Sequence, residues 1–196
     1  MPSGMFQQTF QGAILSSVSN ILAQFIYTYK EKVPFSLNPA QTLKFALFSV
    51  VSSPPNIVWQ TFLETQFPTN VPVSPAPFGN ANGKPKPHKG PETRVSKTNV
   101  LIKFILDQTF GAVINTLMFL VFMGYANAPT TGKETPWNSI QREIDNKFYP
   151  MIMDGYKVWP LFSLASFLWI PVDKRIVAGC LVGIGWGIYL SLMVDA

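Results

Sequence analysis

Charged side chains are missing from long apolar stretches of this chain, and that spacing limits the folds open to it more than any motif does. No Asp, Glu, Lys or Arg occurs from Met1 to Tyr29. The same holds from Phe45 to Leu63, Gln108 to Gly132, Val158 to Val172 and Ile176 to Val194. A helix needs about 20 mostly apolar residues to cross the hydrocarbon layer of a bilayer. The Val158–Val172 stretch is short for that. The segment Ser139–Tyr156 before it is amphipathic, with Ile140, Ile144, Phe148, Met151 and Ile152 on one helical face. Together the two make one long oblique helix, interrupted at Pro150 or Pro160. Composition agrees: 13% of the 196 residues are charged and 47% are hydrophobic, where an ordinary soluble domain carries about 25% charged residues. Barrel strands are excluded, because the apolar runs are long and do not alternate.

The expected fold is therefore all-α: a polytopic transmembrane helical bundle with four to five membrane helices and one long Pro-rich loop. The apolar segments lie at about 12–29, 41–65, 98–126, 139–171 and 174–194, in a single membrane domain over 1–196. Pro54-Pro55 predicts a kink in the second segment, with Trp59 near the membrane interface. Residues 67–97 hold seven of the prolines, together with Lys84, Lys86, Lys89, Arg94 and Lys97. That composition favours a basic, flexible loop in contact with anionic headgroups. No aromatic residue interleaves the basic cluster, which argues against nucleic acid as a partner.

Polar residues inside the apolar segments are the candidate functional positions. Ser16, Asn20 and Gln24 fall at i, i+4, i+8, so they share one face of the first helix. That face either packs on protein or lines water. Lys103 and Asp107 are also four apart, followed by Gln108, and Arg175 opens the last helix. A carboxylate in a membrane segment is costly and is paired or wet. Asp107 thus reads either as a salt bridge that fixes helix positions or as a charged gate in a pore. Gly179, Gly183 and Gly187 form a small-residue face that permits close helix approach. Trp159-Pro160 suits the start of a helix, Pro171 marks the turn into the last one, and Trp186 reads as an interface or packing residue.

Other chemistries are poorly supported. The lone His88 has no partner for a triad or a metal site, and the single Cys180 permits no internal disulfide. Gly183–Gly187 lacks the strand and acidic residue that a dinucleotide loop needs. No HxxxH, CxxC or nucleophile elbow occurs. The expectation is a non-enzyme with no cofactor and no metal. A basic secretory n-region and an arginine-rich presequence are both absent before Lys30, so targeting is expected to use internal signals.

The C-terminal third carries an ordered set of motifs. These are Asp154-Gly155-Tyr156, Val158-Trp159-Pro160, Ser166-Phe167, Ile170-Pro171, Lys174-Arg175 and Trp186-Gly187-Ile188-Tyr189-Leu190-Ser191. Upstream stand Lys103-Phe104-Ile105-Leu106-Asp107-Gln108, Pro55, Trp59-Gln60, Phe62-Leu63 and Phe67-Pro68. In these the chain resembles the Mpv-seventeen and peroxisomal-membrane-protein-twenty-two family of organelle membrane proteins, in its fungal branch. Members usually carry Asn where Ser166 stands, and the mitochondrial branch carries Asn where Gly187 stands. The Trp-Gly-Ile form is closer to the peroxisomal branch.

The resemblance implies about four membrane spans and a pore or channel for small solutes or ions. It favours the peroxisomal membrane, with the mitochondrial inner membrane as the alternative. A second reading is a non-transporting scaffold that forms a homo-oligomer through the glycine face and meets membrane lipids through its basic loop.

Overall fold

The computed structural model describes residues 3–72, 93–129 and 135–194. They form α1 (Ser3–Glu31), α2 (Pro39–Gln66), α3 (Lys97–Leu106), a π turn (Asp107–Gly111), α4 (Ala112–Ala126), α5 (Pro136–Trp169) and α6 (Val172–Val194). Because α3, the π turn and α4 run on without a break, the chain makes five helical rods. Two short strands, β1 (Asn70–Pro72) and β2 (Thr93–Val95), pair antiparallel with Val71 opposite Arg94. The ribbon ties together the two ends of the Pro-rich segment, so its neck is ordered rather than flexible. The rest of that loop, with Lys84, Lys86, His88 and Lys89, lies outside the described residues, as does the side chain of Cys180.

Local chemistry sets the helix ends. Asn38 caps α2 by accepting from the Gln41 N–H at 3.1 Å, with Pro39 in the first turn, where a missing donor costs nothing. Ser96 caps α3 in the same way through the Asn99 N–H. Ile170 leaves α5 in extended backbone, as a residue before proline prefers, and Pro171 then starts the last rod.

Interior prolines do not break the rods. α2 runs through Pro54-Pro55 and α5 through Pro150 and Pro160. The expected interruption of α5 is absent, and Pro160 is deep in the helix rather than at its start. Each proline deletes one backbone donor, and the unbroken ladder on both sides carries the helix across.

Contacts fix the direction of each rod. Asn38 and Thr42 at the start of α2 meet Gln24 near the end of α1. Glu64 at the end of α2 meets Lys103 at the start of the third rod, and Lys44 meets Asn127 at the other end. Asp107 meets Ser163, and Gly124 meets Ile140. On α6, Gly179 touches Phe162, while Trp186 approaches Gly155. Consecutive rods are therefore antiparallel. α1 packs along both α2 and α6, and α4 packs along α5. The two groups touch only sparsely, and a cavity fills the gap between them.

Polarity is distributed inside out. The Lys103 side chain is 0% exposed, and Asn20, Gln24, Ser52, Ser53, Gln108, Ser163 and Arg175 are also buried. Leu161 is 76% and Trp169 77% exposed, and apolar residues such as Phe25, Leu47, Val58, Ile105 and Leu181 also face outward. A water-soluble fold places these classes the other way round. Among the described residues, most of the apolar packing inside falls in two clusters. One centres on Phe45, Phe119, Leu120, Met123, Met151 and Leu190, and the other on Leu63, Val100 and Phe167. Among the described residues, the Lys97–Ala126 rod is long and apolar enough, by composition, to cross a membrane. On α1 and α2, polar residues such as Asn20, Gln24, Asn56 and Gln60 dilute the apolar runs.

Candidate functional site

The cavity has a volume of about 350 Å³ and is walled by all five rods. On α2 its polar wall is a stripe at helical spacing: Ser49, Ser52, Ser53, Asn56 and Gln60. Glu64 continues that stripe one turn further and closes it with a charge cluster.

Glu64 is the hub of the cluster. Its Oε2 accepts from Lys103 Nζ at 2.6 Å and from Arg175 Nη1 at 2.8 Å. The Thr69 N–H donates to Glu64 Oε1 at 2.8 Å, and Lys103 also donates to Thr69 Oγ1. Arg175 Nε donates to the Ile170 carbonyl at 2.9 Å. The Phe167 ring lies beneath both cations, 4.9 Å from Lys103 Nζ and 5.1 Å from the guanidinium carbon. Carboxylate, hydroxyl, carbonyl and ring together offset the desolvation of two buried cations.

One turn inward, Asp107 has a different environment. It accepts from Trp59 Nε1 at 3.3 Å, Gln60 Nε2 at 3.0 Å, Ser163 Oγ, and Gln108 Nε2 at 3.4 Å. All four donors are neutral. The expected Lys103–Asp107 bridge is not formed, because Lys103 reaches Glu64 and Thr69 instead. Trp59, expected at the interface, is turned inward and helps to hold the carboxylate.

The π turn begins at Asp107. Its extra residue per turn places the adjacent Asp107 and Gln108 side chains together on the cavity wall. The phenol of Tyr156 donates to the Gln108 carbonyl at 3.0 Å, which satisfies an oxygen in the widened turn. At Gly111, a Cβ would lie 3.1 Å from Trp59 Nε1 and 3.2 Å from Asp107 Oδ1. Glycine leaves room there for both groups to lie against the helix.

Further along, Asn56 and Asn115 exchange amide hydrogen bonds at 2.7 and 2.9 Å. At the far end, Gln24 donates to Asn20 Oδ1, Thr42 Oγ1 and the Asn38 carbonyl, and accepts from the Asn38 N–H. Asn20 and Gln24 thus spend their polar groups on joining α1 to α2. Ser16 donates to the Phe45 carbonyl at 3.0 Å while also lining the cavity.

The glycine face of α6 is turned inward. Gly179, Gly183 and Gly187 all line the cavity. A Cβ on Gly187 would stand 2.9 Å from Ser19 Cβ, so this residue permits the close α1–α6 crossing. Gly183 has open space around it. The stripe serves this chain's own interior and is not the outward docking face that the scaffold reading requires. Trp159 and Trp186 meet edge to face at 6.0 Å, and Trp186 stacks on Tyr189. Both tryptophans wall the cavity.

Glu64, Asn56, Asn115 and Ser163 escaped the sequence reading as site residues, and Gln60 entered it only within the Trp59-Gln60 motif. Ser52, Asn56, Gln60 and Glu64 repeat every four residues, the spacing that singled out Ser16, Asn20 and Gln24. Applied to α2, the same test finds them. Among the described residues, no group of three His, Cys, Asp or Glu side chains is placed to hold a metal ion.

Comparison with known proteins gives a consistent set of relatives. Residues 131–191 match the model of the Mpv17 / PMP22 family. The PXMP2/4 family protein 3 of Dictyostelium discoideum is 28% identical over 92% of this chain and 79% of its own length. Protein sym1 of Schizosaccharomyces pombe is 26% identical over 78% of this chain, and the peroxisomal membrane protein PMP22 of Arabidopsis thaliana is 28% identical over 46%. The aligned part spans only 59% and 45% of those two relatives. No solved structure matches.

Proposed function

On the premise of kinship with the Mpv17 / PMP22 family, we propose that this protein is an integral organelle-membrane protein whose bundle of four to five spanning helices forms a pore for small polar solutes or ions. The carrying observation is the inside-out distribution around a polar track. From Ser49 to Glu64 the stripe on α2 extends about 22 Å at 1.5 Å per residue. That length covers most of the hydrocarbon thickness of a bilayer, about 30 Å. Apolar side chains on the outside suit lipid, and the buried polar wall suits a solute that lipid excludes. The 34 residues of α5 exceed one crossing, so its amphipathic first half extends beyond the hydrocarbon layer. Membrane lipids are the expected partners, and no catalytic role is assigned.

The peroxisomal membrane is the favoured location. It is supported by the relative named for that membrane and by Gly187 in the Trp186 motif. The mitochondrial inner membrane is the alternative.

The test is solute release from sealed liposomes containing the purified chain, with solutes graded by size and charge. Release with a size cutoff supports the pore. Absence of release from protein shown to be folded and inserted overturns it in favour of a non-transporting scaffold.

A further inference from the structure

Asp107 and Gln108, neighbours on the cavity wall, are left uncompensated in two different ways. Around Asp107 the donors are spent on the protein. The Ser163 hydroxyl, the Trp59 indole and a Gln60 N–H go to the carboxylate, and the Tyr156 hydroxyl goes to the Gln108 carbonyl. One turn away, Asn56 and Asn115 use their amide protons on each other and on the Ser52 and Gly111 carbonyls. Two groups remain uncompensated, one lacking a counter-charge and one a donor. Asp107 has no cation beside it. Gln108, 8% exposed and on the cavity wall, has a buried Oε1 without a hydrogen-bond partner. A buried acceptor left unmade is costly, and a buried carboxylate without a counter-charge more so. Both residues line the same cavity.

From this geometry we infer that the cavity is a binding site for a small organic cation, its ammonium group held by Asp107 and Gln108 Oε1. The inference rests on the reading of the cavity as reachable by solute. An ammonium brings a positive charge and donors only, which suits a carboxylate without a counter-charge beside an orphaned amide oxygen. The indole and phenol rings of Trp159, Trp186 and Tyr156 wall the same space and favour a cationic head with an alkyl tail. One carboxylate among neutral donors falls short of the oxygen shell a divalent metal takes. An anion is disfavoured, because Arg175 is committed to Glu64 and to the Ile170 carbonyl.

The experiment is thermal unfolding of the full chain in nanodiscs, titrated with butylammonium chloride, potassium chloride or sodium butyrate at constant ionic strength. The expected result is a saturable rise in Tm with butylammonium only. Gln108→Met deletes the orphaned oxygen within a similar volume, so the variant is expected to fold. Its apparent affinity is expected to fall roughly tenfold, the size of one lost hydrogen bond to a charged group. Asp107→Asn is expected to abolish the response. An equal effect of potassium, no effect of butylammonium, or full affinity in Gln108→Met overturns the site. Solute release without butylammonium binding removes the site and leaves the pore. Binding without release removes the pore and leaves the site.

Discussion

Lys103 Nζ lies 2.6 Å from Glu64 Oε2, 39 positions away in sequence, and not against Asp107 one turn along its own rod. The partition leaves two buried cations sharing one carboxylate and a second carboxylate among neutral donors. Removing the shared carboxylate strands both cations. Glu64→Gln is expected to destabilise the folded chain by on the order of 3 kcal/mol, the scale of a broken buried pair. Adding Lys103→Met should recover part of that loss. Denaturant or thermal unfolding of the single and double variants in detergent checks this, and strictly additive effects would count against the cluster.

Asp107 is held by donors rather than by a charge, so its hydrogen bonds and its charge can be separated. Asp107→Asn keeps the size and the pair of hydrogen bonds at one oxygen, and sets an NH2 where the other oxygen accepts. The expected outcome is normal membrane insertion with altered ion selectivity or gating, read by conductance in planar bilayers. Unchanged conductance would remove Asp107 from the pore.

Gly124 and Gly183 make a matched pair of glycine tests. A Cβ on Gly124 would stand 2.7 Å from Ile140 Cα, so α4 and α5 would have to separate. Gly124→Ala is expected to cost about 1–3 kcal/mol, as overpacked cores do. Gly183→Ala meets nothing within 4 Å and is expected to leave the unfolding midpoint unchanged.

Gly183→Leu places a large side chain in the cavity rather than on a docking face. Solute release is expected to fall while the oligomeric state stays constant. Light scattering alongside liposome release reads both. A change of oligomeric state with normal release would restore the scaffold reading.

Gly111→Ala tests the π turn. The added methyl would press on the Trp59 indole and the Asp107 carboxylate, at 3.1 and 3.2 Å. A shift in the Trp59 contribution to fluorescence is expected, measured as the difference between Trp59→Phe chains with and without the alanine. An identical Trp59 contribution would show that the turn tolerates a side chain there.

Sequence alone determined the helices. Charge-free apolar runs and Ile170-Pro171 as a break are local features, as are the caps Asn38 and Ser96 that the structure added, and helix formation depends on local features. Periodicity put Ser16, Asn20 and Gln24 on one face, and the cost of a carboxylate in an apolar segment singled out Asp107. Tertiary structure decided which of these groups meet. Lys103 and Asp107 share a face and look like a pair by spacing, yet the end of α2 brings Glu64 to Lys103, and Gln60, Trp59 and Ser163 to Asp107. The glycine stripe of α6 reads equally well as an inner or an outer face until the close crossing at Ser19 turns it inward. A helix pattern specifies its own faces, but the rotation of one rod against another is set by the desolvation of every polar group at once, and no local window of sequence contains that sum.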